Sequence, residues 1–153
     1  MKNKKHKLYC RKVTFDDAKL LHVWVNDSLT RKNSLSKNKY ISWNFHKKWL
    51  KKKLKSKNCT LFIFCTKNEE VGQVRFDKKN KVIKISYSIA KKFRGKGLSK
   101  KMLRSAINKY EPKKGNILFG IVRDKNLPSI KVFRSLGFSF NFKNKIYYFS
   151  KYF

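Results

Sequence analysis

The segment RGKGLS, residues 94–99, combines residue types and spacing that could hold an anion. Gly95 and Gly97 can take backbone angles that other residues resist, turning successive N–H groups to one side. A strand reads before the segment and a helix after it, so the helix N-terminus would add its partial positive charge. Arg94, Lys96 and Lys100 would surround the ligand, and a pyrophosphate suits the set. The segment is not a Walker A loop, which needs GxxxxGK[ST]. It is not a dinucleotide fingerprint either, because the third glycine and the downstream acid are missing. A glycine pair alone also marks an ordinary turn, so the loop by itself leaves both readings open. The three cysteines, Cys10, Cys59 and Cys65, lack CxxC spacing and read as small apolar residues in a reducing compartment. No metal site is expected.

The elements that would position this loop follow from periodicity. Residues 8–14 alternate as a strand, and Thr14 can cap a helix with Asp16 and Asp17 in its first turn and Ala18, Leu21, Val23 and Val25 along it. Residues 27–42 show no clear period and read as a loop with a helical turn. Residues 44–57 form a helix in which Phe45 and Trp49, and Leu50 and Leu54, are pairs four apart. Strands follow at 59–67, 70–79 and 81–90, an antiparallel meander by its turn spacing. Alternation places Cys59 and Cys65 on one face. A helix over 98–110 carries Leu98, Met102, Ala106 and Tyr110 as a stripe. Residues 115–124 read as a central apolar strand. Asn126 can cap a helix over 127–136 that Gly137 stops, and a hairpin of 138–142 with 145–152 closes the chain. The result is an α+β fold with a mixed, mostly antiparallel sheet of about seven strands and four helices.

Length and composition bound the function. A chain of 153 residues is read as one domain, 1–153, and 41% apolar residues with 15% aromatics exclude global disorder. The apolar runs are too short for a membrane span, and the basic N-terminus has no apolar stretch behind it, so a cytoplasmic protein is expected. The net charge of +33 would suit a polyanion partner. However, it rests on 34 Lys against 7 Arg, spread along the chain with denser patches at 47–57, 91–101 and both termini. Abundant Asn, Ile, Phe and Tyr accompany it. That pattern reads as compositional drift with binding of small anionic ligands, rather than as a nucleic-acid arm.

The stretch SYSIAKKFRGKGLSKKML followed by NLPSIKVFRSLGF resembles the acetyl-coenzyme A signature of the GNAT N-acetyltransferases. Arg94 and Gly97 match the first motif, R/Q-x-x-G-x-G/A, with Ser99 in place of the usual last Gly or Ala. Asn126, Ser129, Phe133, Gly137 and Phe138 match the second. The resemblance implies acetyl-coenzyme A as cosubstrate and direct transfer to an amine. Backbone groups of Ser88, Ile89 and Ala90 would meet the pantetheine arm. Arg94, Gly95, Lys96, Gly97, Leu98, Ser99 and Lys100 would hold the pyrophosphate. Asn126, Ser129 and Phe133 would complete the cofactor side. Strands 81–90 and 116–124 would splay to admit the thioester. Many members carry a Tyr where this chain has Phe133, so Tyr87 or Ser129 would have to serve the leaving thiolate, and His46 is the candidate base.

The segments WVNDSLTRKNS, YISWNFHKKWLKKKL and VGQVRFD resemble a narrower group, the acetyltransferases of UDP-linked 4-amino-4,6-dideoxy sugars in pseudaminic acid biosynthesis. That likeness implies acceptor contacts from Asn26, Arg31, His46, Trp49, Gln73 and Arg75, with Arg31 or Arg75 on a phosphate and Trp49 or Trp43 under the uracil. A protein N-terminus such as that of a ribosomal protein is the alternative acceptor. A basic nucleic-acid-binding module without chemistry is a third reading, and a homodimer is compatible with any of them.

Overall fold

The structure, a computed structural model, describes residues 7–36 and 39–153. The basic N-terminal residues 1–6 therefore lie outside the described residues. The elements are β1 (Tyr9–Lys12), a 3-10 turn (Phe15–Asp17), α1 (Ala18–Val25), α2 (Ser28–Asn33), α3 (Trp43–Lys55), β2 (Cys59–Cys65), β3 (Glu70–Lys79) and β4 (Val82–Ile89). A second 3-10 turn (Lys91–Phe93), α4 (Leu98–Tyr110), β5 (Ile117–Arg123), α5 (Leu127–Ser135), β6 (Ser139–Lys143) and β7 (Ile146–Tyr152) complete the chain.

Local chemistry accounts for the helix starts. Thr14 opens the first helical stretch in a capping box with Asp17, whose carboxylate accepts from the Thr14 N–H at 2.9 Å and from Arg11 at 2.8 Å through both oxygens. Ser42 caps α3 and Asn126 caps α5. In α1 the inward positions are Ala18, Leu21 and Trp24, whereas Val23, expected on the apolar stripe, is 67% exposed. Five α-helices form rather than four. The additional one, α2, lies in the stretch read as a loop. Asp27 caps it by accepting from the Thr30 N–H at 3.1 Å, and it buries no residue. A helix with no core-facing stripe leaves no period for a sequence reading to find.

The seven strands form one sheet in the order β1-β2-β3-β4-β5-β7-β6. All neighbours are antiparallel except β4 and β5. That parallel ladder holds only three pairs, Val82–Ile117, Ile83–Leu118 and Lys84–Phe119, and then opens. The splay expected of the central strands is therefore present. It begins after Lys84 and Phe119, and it leaves backbone groups on the facing edges without each other as partners.

Each face of the sheet has its own core. On one face, α4 and α5 cover Phe62, Phe64, Phe76, Ile83, Leu118 and Phe149, with Met102, Leu103 and Ala106 fully buried beneath α4. On the other, α1 and α3 cover Val13, Leu61 and Ile63 with Leu21, Trp24 and Leu50. Cys59 and Cys65 both pack on this second core, as alternation requires, while Cys10 packs on the first. α1 and α3 cover the β1–β3 side of this face. The polar residues Gln73, Arg75, Ser86 and Ser88 lie beyond them, paired across β3 and β4 as Gln73–Ser88 and Arg75–Ser86. Among the described residues no helix is long and apolar enough to cross a membrane, and no group of three or more His, Cys, Asp or Glu is placed to hold a metal ion.

Candidate active site

The site is built around the split between β4 and β5. At its floor, RGKGLS forms the turn into α4. Gly95 and Gly97 have φ of +72° and +68°, the left-handed region that costs other residues 1–2 kcal/mol at about the level of a single turn. A Cβ built on either glycine would meet nothing within 4 Å, so this side of the loop is open. No side chain caps α4, and its first N–H groups are free to receive an anion. Leu98 is buried under the helix, Ser99 is half-buried, and Lys100 is exposed. Lys96 stands over the Phe93 ring at 5.2 Å. Lys92 is occupied by Glu69.

Arg94 departs from its expected place beside the anion. Its Nη2 donates to Asp27 Oδ2 at 2.6 Å and its Nε to the Ile89 carbonyl at 3.1 Å. A half-buried guanidinium takes the carboxylate within reach, and here that carboxylate caps α2. Burial raises the Asp27 carboxyl, and the Arg94 hydrogen bond, with that of Thr30, outweighs it and holds the group below its ordinary value. The pantetheine-facing expectation is narrowed by the same contacts. The Ile89 carbonyl is used by Arg94 and the Ala90 N–H by Val71 at 2.8 Å, which leaves the Ser88 backbone.

On the α5 side, the Tyr87 hydroxyl donates to Ser129 Oγ at 2.9 Å across the split. Asn126 Oδ1 accepts from the Ser129 N–H at 3.4 Å and so fixes the first turn of α5. Burial pushes the Tyr87 hydroxyl up to about 12. Phe133, expected to contact the cofactor, is instead part of the core. It is 2% exposed, stacks on Phe149 at 5.0 Å and meets Phe138 edge-on. Its ring tip rests on Gly120 of β5, where an added Cβ would lie 2.5 Å from Cζ.

Most of the residues expected on the acceptor side hold the scaffold. Asn26 spends its amide on the Ile41 backbone, accepting from its N–H at 2.8 Å and donating to its carbonyl at 3.0 Å. His46 is 3% exposed, and its Nε2 lies 3.0 Å from the Ala18 carbonyl. Burial and the neighbouring His22 lower its affinity for a proton. A ring sealed between α1 and α3 with that nitrogen engaged is a packing residue, so its role as base is corrected. Trp49 is flanked by His46 at 5.6 Å and by the Arg75 guanidinium at 5.3 Å, and Trp43 by His46 and Lys47, so neither presents a free face to a uracil. Arg75 donates to Asp77 at 2.7 Å and to Ser86 at 3.4 Å, which neutralises it in place. Gln73 donates to Ser88 Oγ at 3.3 Å and keeps its carbonyl. Arg31 is half-buried, and its Nε has no hydrogen-bond partner among the described residues.

Three contributors went unread in the sequence. Ser86 joins Gln73 and Ser88 on the polar row, and strand alternation two residues before Ser88 was the available signal. Thr30 donates to Asp27 and accepts from Arg94. Arg123, at the end of β5, donates to the Ser34 carbonyl at 2.8 Å and ties down the far end of α2. No sequence signal marked either of the last two.

Residues 7–139 match the family model described as acetyltransferase (GNAT) domain. No curated protein matches the chain. Among solved structures, the fold is similar to spermidine N-acetyltransferase from Vibrio cholerae in complex with CoA and spermine, at TM-score 0.83 and 15% identity over 95% of each chain. It is also similar to ribosomal-protein-alanine N-acetyltransferase from Brucella melitensis, at TM-score 0.78 and 18% identity over 95% of this chain and 99% of that one. A ribosomal L7/L12 alpha-N-protein acetyltransferase in complex with coenzyme A matches at TM-score 0.77 and 16% identity, over 95% of this chain and 93% of that one. At such identities these neighbours speak to the fold.

Proposed function

The chain belongs to the GNAT acetyltransferase family, and from that premise we propose that it transfers an acetyl group from acetyl-coenzyme A to the 4-amino group of a UDP-linked amino-dideoxy sugar. The class of reaction, acyl-coenzyme A-dependent N-acetylation, comes with the family. The acceptor rests on one observation. The carboxylates nearest the polar row are already closed by cations, Asp27 by Arg94 at 2.6 Å and Asp77 by Lys53 at 2.5 Å and Arg75 at 2.7 Å. A polycation such as spermidine would find little free negative charge there, whereas an acceptor that brings its own negative charge meets a basic surround. The half-buried Arg31, with Nε unpartnered, suits a diphosphate oxygen, because an anion would offset the cost of its burial. The Gln73 carbonyl, Ser86 and Ser88 offer hydrogen bonds of the kind that sugar hydroxyls use.

In this reading the glycine turn and the α4 N-terminus hold the pyrophosphate of the donor, and the open edges of β4 and β5 receive its arm. The amine attacks the thioester carbonyl, the C–N bond forms, and the C–S bond breaks with its electron pair on sulfur. Positioning and backbone N–H groups facing the developing oxyanion supply much of the acceleration. The test is an acetyl-transfer assay read by free-thiol release. UDP-4-amino sugars, a ribosomal N-terminal peptide and polyamines are offered in parallel. Turnover with the sugar nucleotide and little with spermidine is the expected result. Transfer to the peptide or polyamine with none to any sugar nucleotide would overturn the acceptor reading while leaving the reaction class in place.

A further inference from the structure

We propose that the Ser129 hydroxyl, aimed by Tyr87, is the donor that meets the departing thiolate, in place of a side chain at position 133. The inference rests on the acetyl-transfer reading, which puts a leaving thiolate in the split between β4 and β5. It does not depend on which amine is the acceptor.

Three observations carry it. First, Tyr87 donates to Ser129 Oγ at 2.9 Å. A hydroxyl has one proton and two lone pairs, so accepting from Tyr87 directs the Ser129 proton elsewhere. Among the described residues that proton has no acceptor. The polarisation also strengthens it as a donor. Second, the pair stands where a thioester would enter. Tyr87 lies three residues beyond Lys84, the last β4 residue paired with β5, and Ser129 is in the first turn of α5. There the partial positive charge of the helix N-terminus favours a developing anion. Third, position 133 is closed to this task. The Phe133 ring tip lies 2.5 Å from where a Gly120 Cβ would sit, between Phe149 and Phe138. A hydroxyl on Cζ would run into the β5 backbone.

The two hydroxyls have different roles. Burial keeps Tyr87 neutral, pushed up to about 12, so it is a poor proton source for a thiolate and acts as a positioning residue. Ser129 passes its proton to sulfur and recovers one from the attacking nitrogen, which loses it on becoming an amide. The net movement is one proton from nitrogen to sulfur, and both side chains end as they began.

The test needs no acceptor. Coenzyme A itself is bound to the protein, and the pH at which its thiol ionises is read from thiolate ultraviolet absorbance. Removing a hydrogen bond to the thiolate in Ser129→Ala should raise the bound thiol's pKa by about one unit. Tyr87→Phe should raise it by less, and the double variant by no more than Ser129→Ala alone. Ser129→Thr, which keeps a hydroxyl, should stay near the wild type, and Phe133→Tyr should not lower the value. With any amine that is acetylated, Ser129→Ala should reduce kcat by about 100-fold with little change in the KM for acetyl-coenzyme A. An unchanged thiol pKa in Ser129→Ala, additive shifts in the double variant, or a lowered value in Phe133→Tyr would each overturn the proposal.

Discussion

Replacing Gly120 by alanine tests how α5 is seated on β5, and therefore how Asn126 and Ser129 are placed. The added methyl would lie 2.5 and 2.6 Å from two ring atoms of Phe133. Carbon atoms rest about 3.5–4.0 Å apart, so the ring or the strand must give by about 1 Å. Neither does so freely. Phe133 is stacked on Phe149 with the planes 12° apart, and Phe138 meets it edge-on. β5 is bound along its length to β7. Overpacking of this kind costs about 1–3 kcal/mol. At 2–4 °C per kcal/mol for a chain of this size, the melting temperature should fall by about 2–12 °C. Thermal unfolding followed by circular dichroism reads this directly. Phe133→Leu removes the ring tip, so the pair should be coupled: the double variant should be more stable than the two single losses added together, by about 1 kcal/mol or more. A Gly120→Ala protein that melts within about 1 °C of the wild type, or single losses that simply add, would refute the reasoning.

Gly97→Trp should leave the fold intact, because its side chain enters open space, while a φ of +68° costs it about 1–2 kcal/mol. It should abolish the thermal stabilisation by acetyl-coenzyme A, about 2.7 kcal/mol in the wild type at 100 times Kd; a retained shift would place the pyrophosphate elsewhere. His46 is pushed below its ordinary 6.5 by burial, with His22 adding to the effect, so the folded protein binds fewer protons there than the unfolded chain. Its contribution to stability is complete above 6.5 and is lost as pH falls through the lowered value. Melting temperature should therefore drop on acidification below pH 6.5, and His46→Gln should flatten that drop; parallel curves would remove His46 as the cause. Asp27→Asn strips the charge from the Arg94 contact while keeping a cap for α2. It should cost about 1–3 kcal/mol in denaturant unfolding, given that both side chains are largely buried; a loss under a few tenths would mean that Arg94 finds an equivalent partner.

Two parts of the site were legible in the sequence for the same reason. RGKGLS and NLPSIKVFRSLGF are local: a left-handed glycine turn, an uncapped helix start and an asparagine cap are decided by neighbours a few positions away. The strands announced themselves by alternation, and even the pairing of Cys59 with Cys65 on one face follows from counting by two. The short helix α2 was not legible, because it buries nothing and so carries no period. The acceptor side misled for a related reason. Residue types that suit a nucleotide sugar also suit tight packing, and which use prevails depends on what arrives from elsewhere in the chain.

Tertiary structure made those decisions. It brought Asp27 to Arg94 across 67 positions, took the guanidinium away from the loop, and set Arg75 between Trp49 and Asp77. It sealed His46 beneath α1 and turned Phe133 into core against Gly120. It also brought Tyr87 to Ser129 across 42 positions, a contact no local rule contains. Backbone conformation is set by steric limits and hydrogen bonds that reach a few residues, so the sequence by itself determined the elements and the anion-holding turn. A buried polar side chain must instead take whichever partner the packed fold brings within about 3 Å, and only the tertiary structure could choose it.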